Sequence, residues 1–159
     1  MIVSDIVSLV KRTFGDESGA QITDEDILRW INDAQNEIAQ FQKLFETEAF
    51  QNTVAGTVDY GLPSSLLELQ SVQLGTKALQ YLSEQEFDEY IRKNNEEGIP
   101  GSGEPDIYTS WGNKISLYPA PADVYTLTIK FICFPAPVAN VSDQLSLPIR
   151  YHNRIVDFV

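Results

Sequence analysis

The apolar residues of this chain change their period twice, and that change restricts the fold more than any other feature. Before Thr47 they recur at helical spacing, from Thr47 to about Leu147 they alternate, and near Ile149 helical spacing returns. In the first stretch, Val3, Ile6, Val7 and Val10 predict a helix over Ser4–Thr13 that Gly15 stops. Thr23 predicts an N-cap, with Asp24, Glu25 and Asp26 on the positive end of the helix dipole. Ile27, Ile31, Ala34, Ile38, Phe41 and Phe45 then form one narrow apolar seam. The seam is suited to the first helix, to the C-terminal helix or to a neighbouring subunit.

Past Thr47, residues 49–54 and 57–60 read as strands around a turn at Ala55-Gly56. Ser64-Ser65-Leu66-Leu67 reads as a single helical turn. Leu69–Leu74 and Ala78–Tyr81 read as a hairpin over Gly75-Thr76-Lys77. Ser83 and Glu86 form a capping box that opens a short helix over 84–93, with Phe87, Tyr90 and Ile91 on one face. Asn94–Pro105 is rich in Gly and Pro and is expected to be a long, flexible loop with Gly101 and Gly103 at its tip. Strands follow at Asp106–Thr109 and Lys114–Tyr118 around Trp111-Gly112-Asn113. Pro119–Asp123 is expected to be a rigid turn, and Tyr125–Phe134 the longest strand. After a Pro-containing connection, a final helix is expected to begin near Ile149, with Ile155, Val156 and Val159 on its buried stripe. It reaches Val159 without a cap, which is read as the mark of a fragment or of a helix completed by a partner.

Helices, then strands with one inserted helix, then a helix imply an α+β fold: an antiparallel sheet domain, sandwich or barrel-like, with helices at one side. Residues 1–159 are expected to form one domain, with a helical part at 1–46 and 148–159 and a β-rich part at 47–147. No apolar run approaches the roughly 20 residues that span a bilayer, so no membrane association is expected. The N-terminus lacks the basic flank and apolar stretch of a secretory signal.

The residue inventory points away from chemistry. A single histidine, His152, and a single cysteine, Cys133, supply neither a zinc site nor a nucleophile–base pair. His152 is read as a packing or surface residue and Cys133 as a core thiol. The lone cysteine also forbids an intrachain disulfide. The glycines at 98–103 do not follow a strand and open a helix, so they are no phosphate cradle. No catalytic residue, metal or cofactor is expected. The formal charge of −12, with eleven basic residues scattered along the chain, disfavours a protein that grips nucleic acid. Tyr108, Trp111 and Tyr118 have only Lys114 near them in sequence, too little for a single-strand stacking platform.

The order of short motifs is more specific than any one of them. Ile27-Leu28-x-Trp30-Ile31-Asn32-Asp33-Ala34-Gln35 is followed by Tyr60-Gly61-Leu62-Pro63, then by Leu79-x-x-Leu82-Ser83 leading to Glu86-Phe87-Asp88. Next come Gly98-x-Pro100, Tyr108, and Gly112-Asn113-x-Ile115-x-Leu117-Tyr118-Pro119-x-Pro121. Leu127-Thr128-Ile129 and Leu147-Pro148-x-x-Tyr151-His152 close the series. In this order the chain resembles the head–tail connector (adaptor) proteins of tailed phages, over nearly its whole length.

The resemblance implies a structural virion protein of the neck, assembled in the host cytoplasm. It implies a homo-oligomeric, usually dodecameric ring, with portal protein on one side and a tail or nozzle protein on the other. The genome would pass through the lumen without specific binding, and an acidic wall would repel it. Arg150 and Arg154 are the expected portal contact, and Ile99, Pro100, Gly101, Ser102 and Gly103 the expected contact with a neighbouring subunit or the tail. Two other readings compete. One is a tail-completion or terminator protein. The other is a glycan hydrolase, which would need two carboxylates in one cleft, about 5 Å apart or about 6.5–9.5 Å apart.

Overall fold

The computed structural model describes residues 2–98 and 101–158, with only the backbone of Phe158. It is α+β, and it divides into two compact units: Met1–Phe45 with Phe134–Val159, and Glu46–Cys133.

In the first unit, helix α1 (Val3–Thr13) buries Val3, Ile6, Val7 and Val10, the face that the sequence marks. Helix α2 (Asp24–Gln42) is capped by the Thr23 hydroxyl, which accepts the Asp26 N–H at 3.2 Å. It buries Ile27, Ile31, Ala34, Gln35, Ile38 and Ala39. The expected seam fails at its C-terminal end. The buried arc widens toward Gln35 and Ala39, which leaves Phe41 beyond its other rim and 75% exposed. Lys43 closes the helix in the left-handed region (φ 50), its N–H donating to the Ala39 carbonyl at 2.8 Å. Phe45 therefore lies past the helix, where it packs on the same core half-buried.

Residues 134–147 also belong to this core. Val138, Leu145 and Leu147 are buried with the helical side chains. The Asp143 carboxylate fixes the connection by accepting the N–H groups of Ala139 and Asn140. A 3₁₀ turn, Ile149–Tyr151, precedes helix α4 (His152–Phe158). The C-terminal segment is thus two elements where one helix was expected. Ile155 is fully buried and Val156 half-buried, while Val159 lies outside the described residues.

Among its described residues the second unit carries ten strands: β1 (Glu46–Asn52), β2 (Asp59–Gly61), β3 (Leu66–Leu74), β4 (Lys77–Ala78), β5 (Gln80–Tyr81), β6 (Ser102–Gly103), β7 (Ile107–Trp111), β8 (Lys114–Tyr118), β9 (Ala120–Pro121) and β10 (Thr126–Cys133). They form two open four-stranded sheets, β1-β10-β3-β4 and β2-β8-β7-β5, and a two-stranded ribbon, β6-β9. No barrel closes. Val72, Leu127, Ile129 and Phe131 of the first sheet share one core with Tyr60, Tyr108, Ile115 and Leu117 of the second, so the sheets pack as a sandwich. Helix α3 (Glu84–Glu96) covers the outer face of the second sheet, where Phe87 meets Ile107 and Tyr118. Both faces of β7 are covered, which explains the run of buried residues Ile107, Tyr108 and Thr109.

Several local expectations are corrected here. Ser64-Ser65 is a turn closed by the Leu66 N–H on the Pro63 carbonyl (3.1 Å), and Leu66 already begins β3, which at nine residues is longer than β10 at eight. The expected hairpin after Gly75 splits. Lys77–Ala78 pairs with β3, whereas Gln80–Tyr81 crosses over to run parallel to β7. Helix α3 continues to Glu96, because Asn94 is buried against the unit and only Gly98 (φ +71) ends the turn. The segment after it is no free loop tip: Ser102–Gly103 pairs in parallel with Ala120–Pro121, inside the stretch expected to be only a turn.

Candidate functional site

The described residues offer surfaces more than a cleft. Among them no group of three or more His, Cys, Asp or Glu side chains is placed to hold a metal. No described helix is long and apolar enough to cross a membrane. His152 is buried, and its Nε2 donates to the Leu147 carbonyl at 2.7 Å, so the ring packs the start of α4 as the sequence reading expected. Cys133 is a free thiol, half-buried at the end of β10.

The predicted interface residues fall in two places. Arg150 lies in the 3₁₀ turn and Arg154 in α4, both exposed. Arg150 stacks its guanidinium over the Tyr151 ring at 4.9 Å, which orients it along the surface. Ile149 beside it is 80% exposed. Neither arginine forms an ion pair among the described residues. In the second unit, Gly101 and Ser102 are exposed. The carbonyls of Gly101 and Gly103 accept the N–H groups of Ala120 and Ala122, both at 2.9 Å, so this segment is held in place. Ile99 and Pro100 lie outside the described residues.

Several exposed apolar side chains were not anticipated as surface features. Val54 and Val124 stand at one end of the sandwich on turns that are tightly held. The Thr53 N–H donates to the Tyr125 carbonyl, and its fully buried hydroxyl accepts the Tyr125 N–H and donates to the Asp123 carbonyl. The Tyr60 hydroxyl accepts the Val54 N–H at 3.1 Å and donates to the Thr57 carbonyl at 2.8 Å. Trp111 caps the β7–β8 hairpin and is 65% exposed. Phe50, 64% exposed, stands on β1, at the edge of the first sheet. Single exposed apolar residues are ordinary, but an aromatic on an open sheet edge is a recognition feature. Alternation predicts that every second strand residue is exposed, but it does not say which strand lies at the edge.

Several carboxylates are held toward their charged form by the groups around them. Asp16 is the best satisfied: its carboxylate accepts the N–H groups of Ile22 (2.7 Å), Gln21 (2.8 Å) and Ala20 (2.9 Å), which lowers its pKa and orders the loop between α1 and α2. Asp59 is lowered by Lys114 and then by the Ser116 hydroxyl. Lys114 is thereby committed to a carboxylate, away from any aromatic. Tyr108 and Tyr118 are core residues, and burial pushes the Tyr108 phenol up. Helix α3 adds an acidic outer face, with Glu84, Glu86, Asp88, Glu89 and Glu96 all exposed.

The arrangement is suited to contact: exposed apolar groups on rigid turns and strand edges, set in an acidic surface. In comparison with known proteins, no curated protein matches the chain. The family model described as SU10 adaptor protein matches residues 1–159.

Proposed function

The chain belongs to the SU10 adaptor protein family, a family of phage head–tail adaptors, and from that premise we propose that it is a ring subunit that docks beneath the portal and lines the DNA channel. The observation that carries this reading is the extent of the match, which takes in both compact units. A structural role at the head–tail junction follows from the family. The ring and the channel are supported by surface chemistry. A net charge of −12 spread over exposed helix and strand positions lets a phosphate backbone slide past without gripping it.

In this reading Arg150 and Arg154, exposed basic groups on an acidic protein, meet an acidic patch of the portal. Residues 99–103 reach the neighbouring subunit or the tail, helped by the fixed position of Gly101–Gly103. Two different faces of this kind are what a head-to-tail ring requires.

Native mass measurement of the purified protein, alone and with portal, tests the reading. The expected result is a dodecameric ring, or a monomer that assembles into one on portal. A protein that stays monomeric with portal present, or that image reconstruction places away from the portal, would overturn it.

A further inference from the structure

Among the described residues, β1 is the longest of the strands that end the two four-stranded sheets. The other edge strands of the two four-stranded sheets, β4, β2 and β5, have two, three and two residues, the usual way of blunting an edge. Strand β1 has seven residues, no proline and no lysine, and its side chains are exposed except for half-buried Ala49 and Gln51.

Its register shows which backbone groups are open. The Thr53 N–H donates to the Tyr125 carbonyl, and pairing continues without a shift from Asn52↔Thr126 to Glu46↔Ile132. Antiparallel bonding alternates, so Thr47, Ala49 and Gln51 bond inward to β10. Glu46, Glu48, Phe50 and Asn52 therefore direct their N–H and C=O groups away from the sheet. Beside this edge runs a notch of mixed polarity, lined by Phe50, Leu62, Pro63 and Ile129 together with Gln51. At one end Gln51 Nε2 reaches the Gly61 carbonyl at 3.5 Å.

We propose that β1 accepts an extended segment of a different protein as a further strand, with basic side chains opposite Glu46 and Glu48 and an apolar one beside Phe50. Strand addition supplies affinity through main-chain bonds and specificity through alternate side chains. Charge decides against a second copy. Pairing β1 with β1 about Ala49 sets Glu48 opposite Phe50 and Glu46 opposite Asn52, so a second copy brings no cation to either carboxylate, and Lys130 of β10 stands across the strand from Glu48 alone. The extended stretch of this chain outside the sheets, residues 135–147, carries no Lys or Arg and contributes to the helical core. The partner is sought in the phage neck, and that step alone rests on the adaptor reading.

Residue-resolved hydrogen exchange tests the proposal. In the isolated protein the amides of Thr47, Ala49 and Gln51 are protected and those of Glu46, Glu48, Phe50 and Asn52 are not. In necks purified from particles the second set slows by on the order of a hundredfold. The same protection of Glu46, Glu48 and Phe50 is expected when the peptide acetyl-Val-Thr-Lys-Val-Lys-amide, which in antiparallel register sets Val beside Phe50 and Lys opposite Glu48 and Glu46, is titrated onto the isolated protein. Glu48→Pro removes one outward N–H and leaves the β1–β10 ladder intact, so it abolishes protection with melting retained. Glu46→Lys with Glu48→Lys weakens capture at least tenfold without touching the backbone. Open amides in both necks and peptide titration would overturn strand addition, as would protection arising from self-association of the pure protein. Absence of the chain from purified necks would instead overturn the adaptor reading, with the peptide titration still deciding strand addition.

Discussion

The side-chain amide of Asn32 closes a two-bond ring with the backbone of Val138. Its Nδ2 donates to the Val138 carbonyl at 2.9 Å, and its Oδ1 accepts the Val138 N–H at 2.8 Å. One residue of α2 thus acts as a strand partner for a connection that has no strand of its own. This bond, with buried Val138, binds residues 134–147 into the helical unit. Replacing Asn32 by Ala leaves a part-buried donor and acceptor unpaired, at a cost of about 1–3 kcal/mol. The expected result in urea denaturation is a lower midpoint. Asn32→Asp keeps the acceptor but sets a charge against the Val138 carbonyl, so it should not rescue stability.

Asp16 gives a pH dependence with a defined sign. The Ile22, Gln21 and Ala20 N–H groups hold its pKa below the usual carboxylate range. A depressed folded-state pKa contributes stability that is complete above the unfolded value and is lost as pH falls through the folded one. The window is therefore below about pH 4, reached from above. Asp16→Asn offers a single acceptor oxygen, so it should melt lower at neutral pH and show a shallower acid decline. Asp26, Asp59, Glu86 and Asp143 are also lowered, so a residual acid decline is expected in this variant. Thermal melts of both proteins between pH 3 and pH 7 check this. An unchanged slope would remove the assignment to Asp16.

Ile38 and Phe41 separate the seam read from sequence from the one that forms. Ile38 is buried and Phe41 is exposed. Ile38→Ala should cost about 2–5 kcal/mol by the cavity it opens. Phe41→Ser should stay within about 0.5 kcal/mol in the isolated protein. Equal losses measured by denaturant titration would restore Phe41 to the core.

Arg150 and Arg154 are exposed, so reversing both to Glu should leave the melting temperature within about a degree, as surface changes usually do. If they meet an acidic portal patch, portal affinity falls at least tenfold and its salt dependence weakens. Binding measured at two salt concentrations decides the matter. Unchanged affinity would assign this pair to solvent.

Elements whose signal is local were legible in the sequence. The α1 face, the Thr23 cap, the Ser83–Glu86 capping box and the β7–β8 hairpin around Gly112 all stand where the residues placed them. Each depends on neighbours within a few positions, and short-range geometry is fixed by residue type. The proposed interface residues were legible only as types. Arginines on a helix and glycines in a connection can be read from the chain, but the parallel pairing that holds Gly101–Gly103 joins residues far apart in sequence.

The amino acids by themselves thus determined the α+β class, the switch from helical to alternating period, and an acidic surface with few chemical groups. The tertiary structure alone decided that Gln80–Tyr81 leaves its hairpin for the other sheet, that residues 134–147 join the helical core, and that β1 is a long open edge. The physical reason is the range of the interactions. Period and caps are set between near neighbours, whereas sheet order and edge exposure depend on which distant segments bury the most apolar surface together.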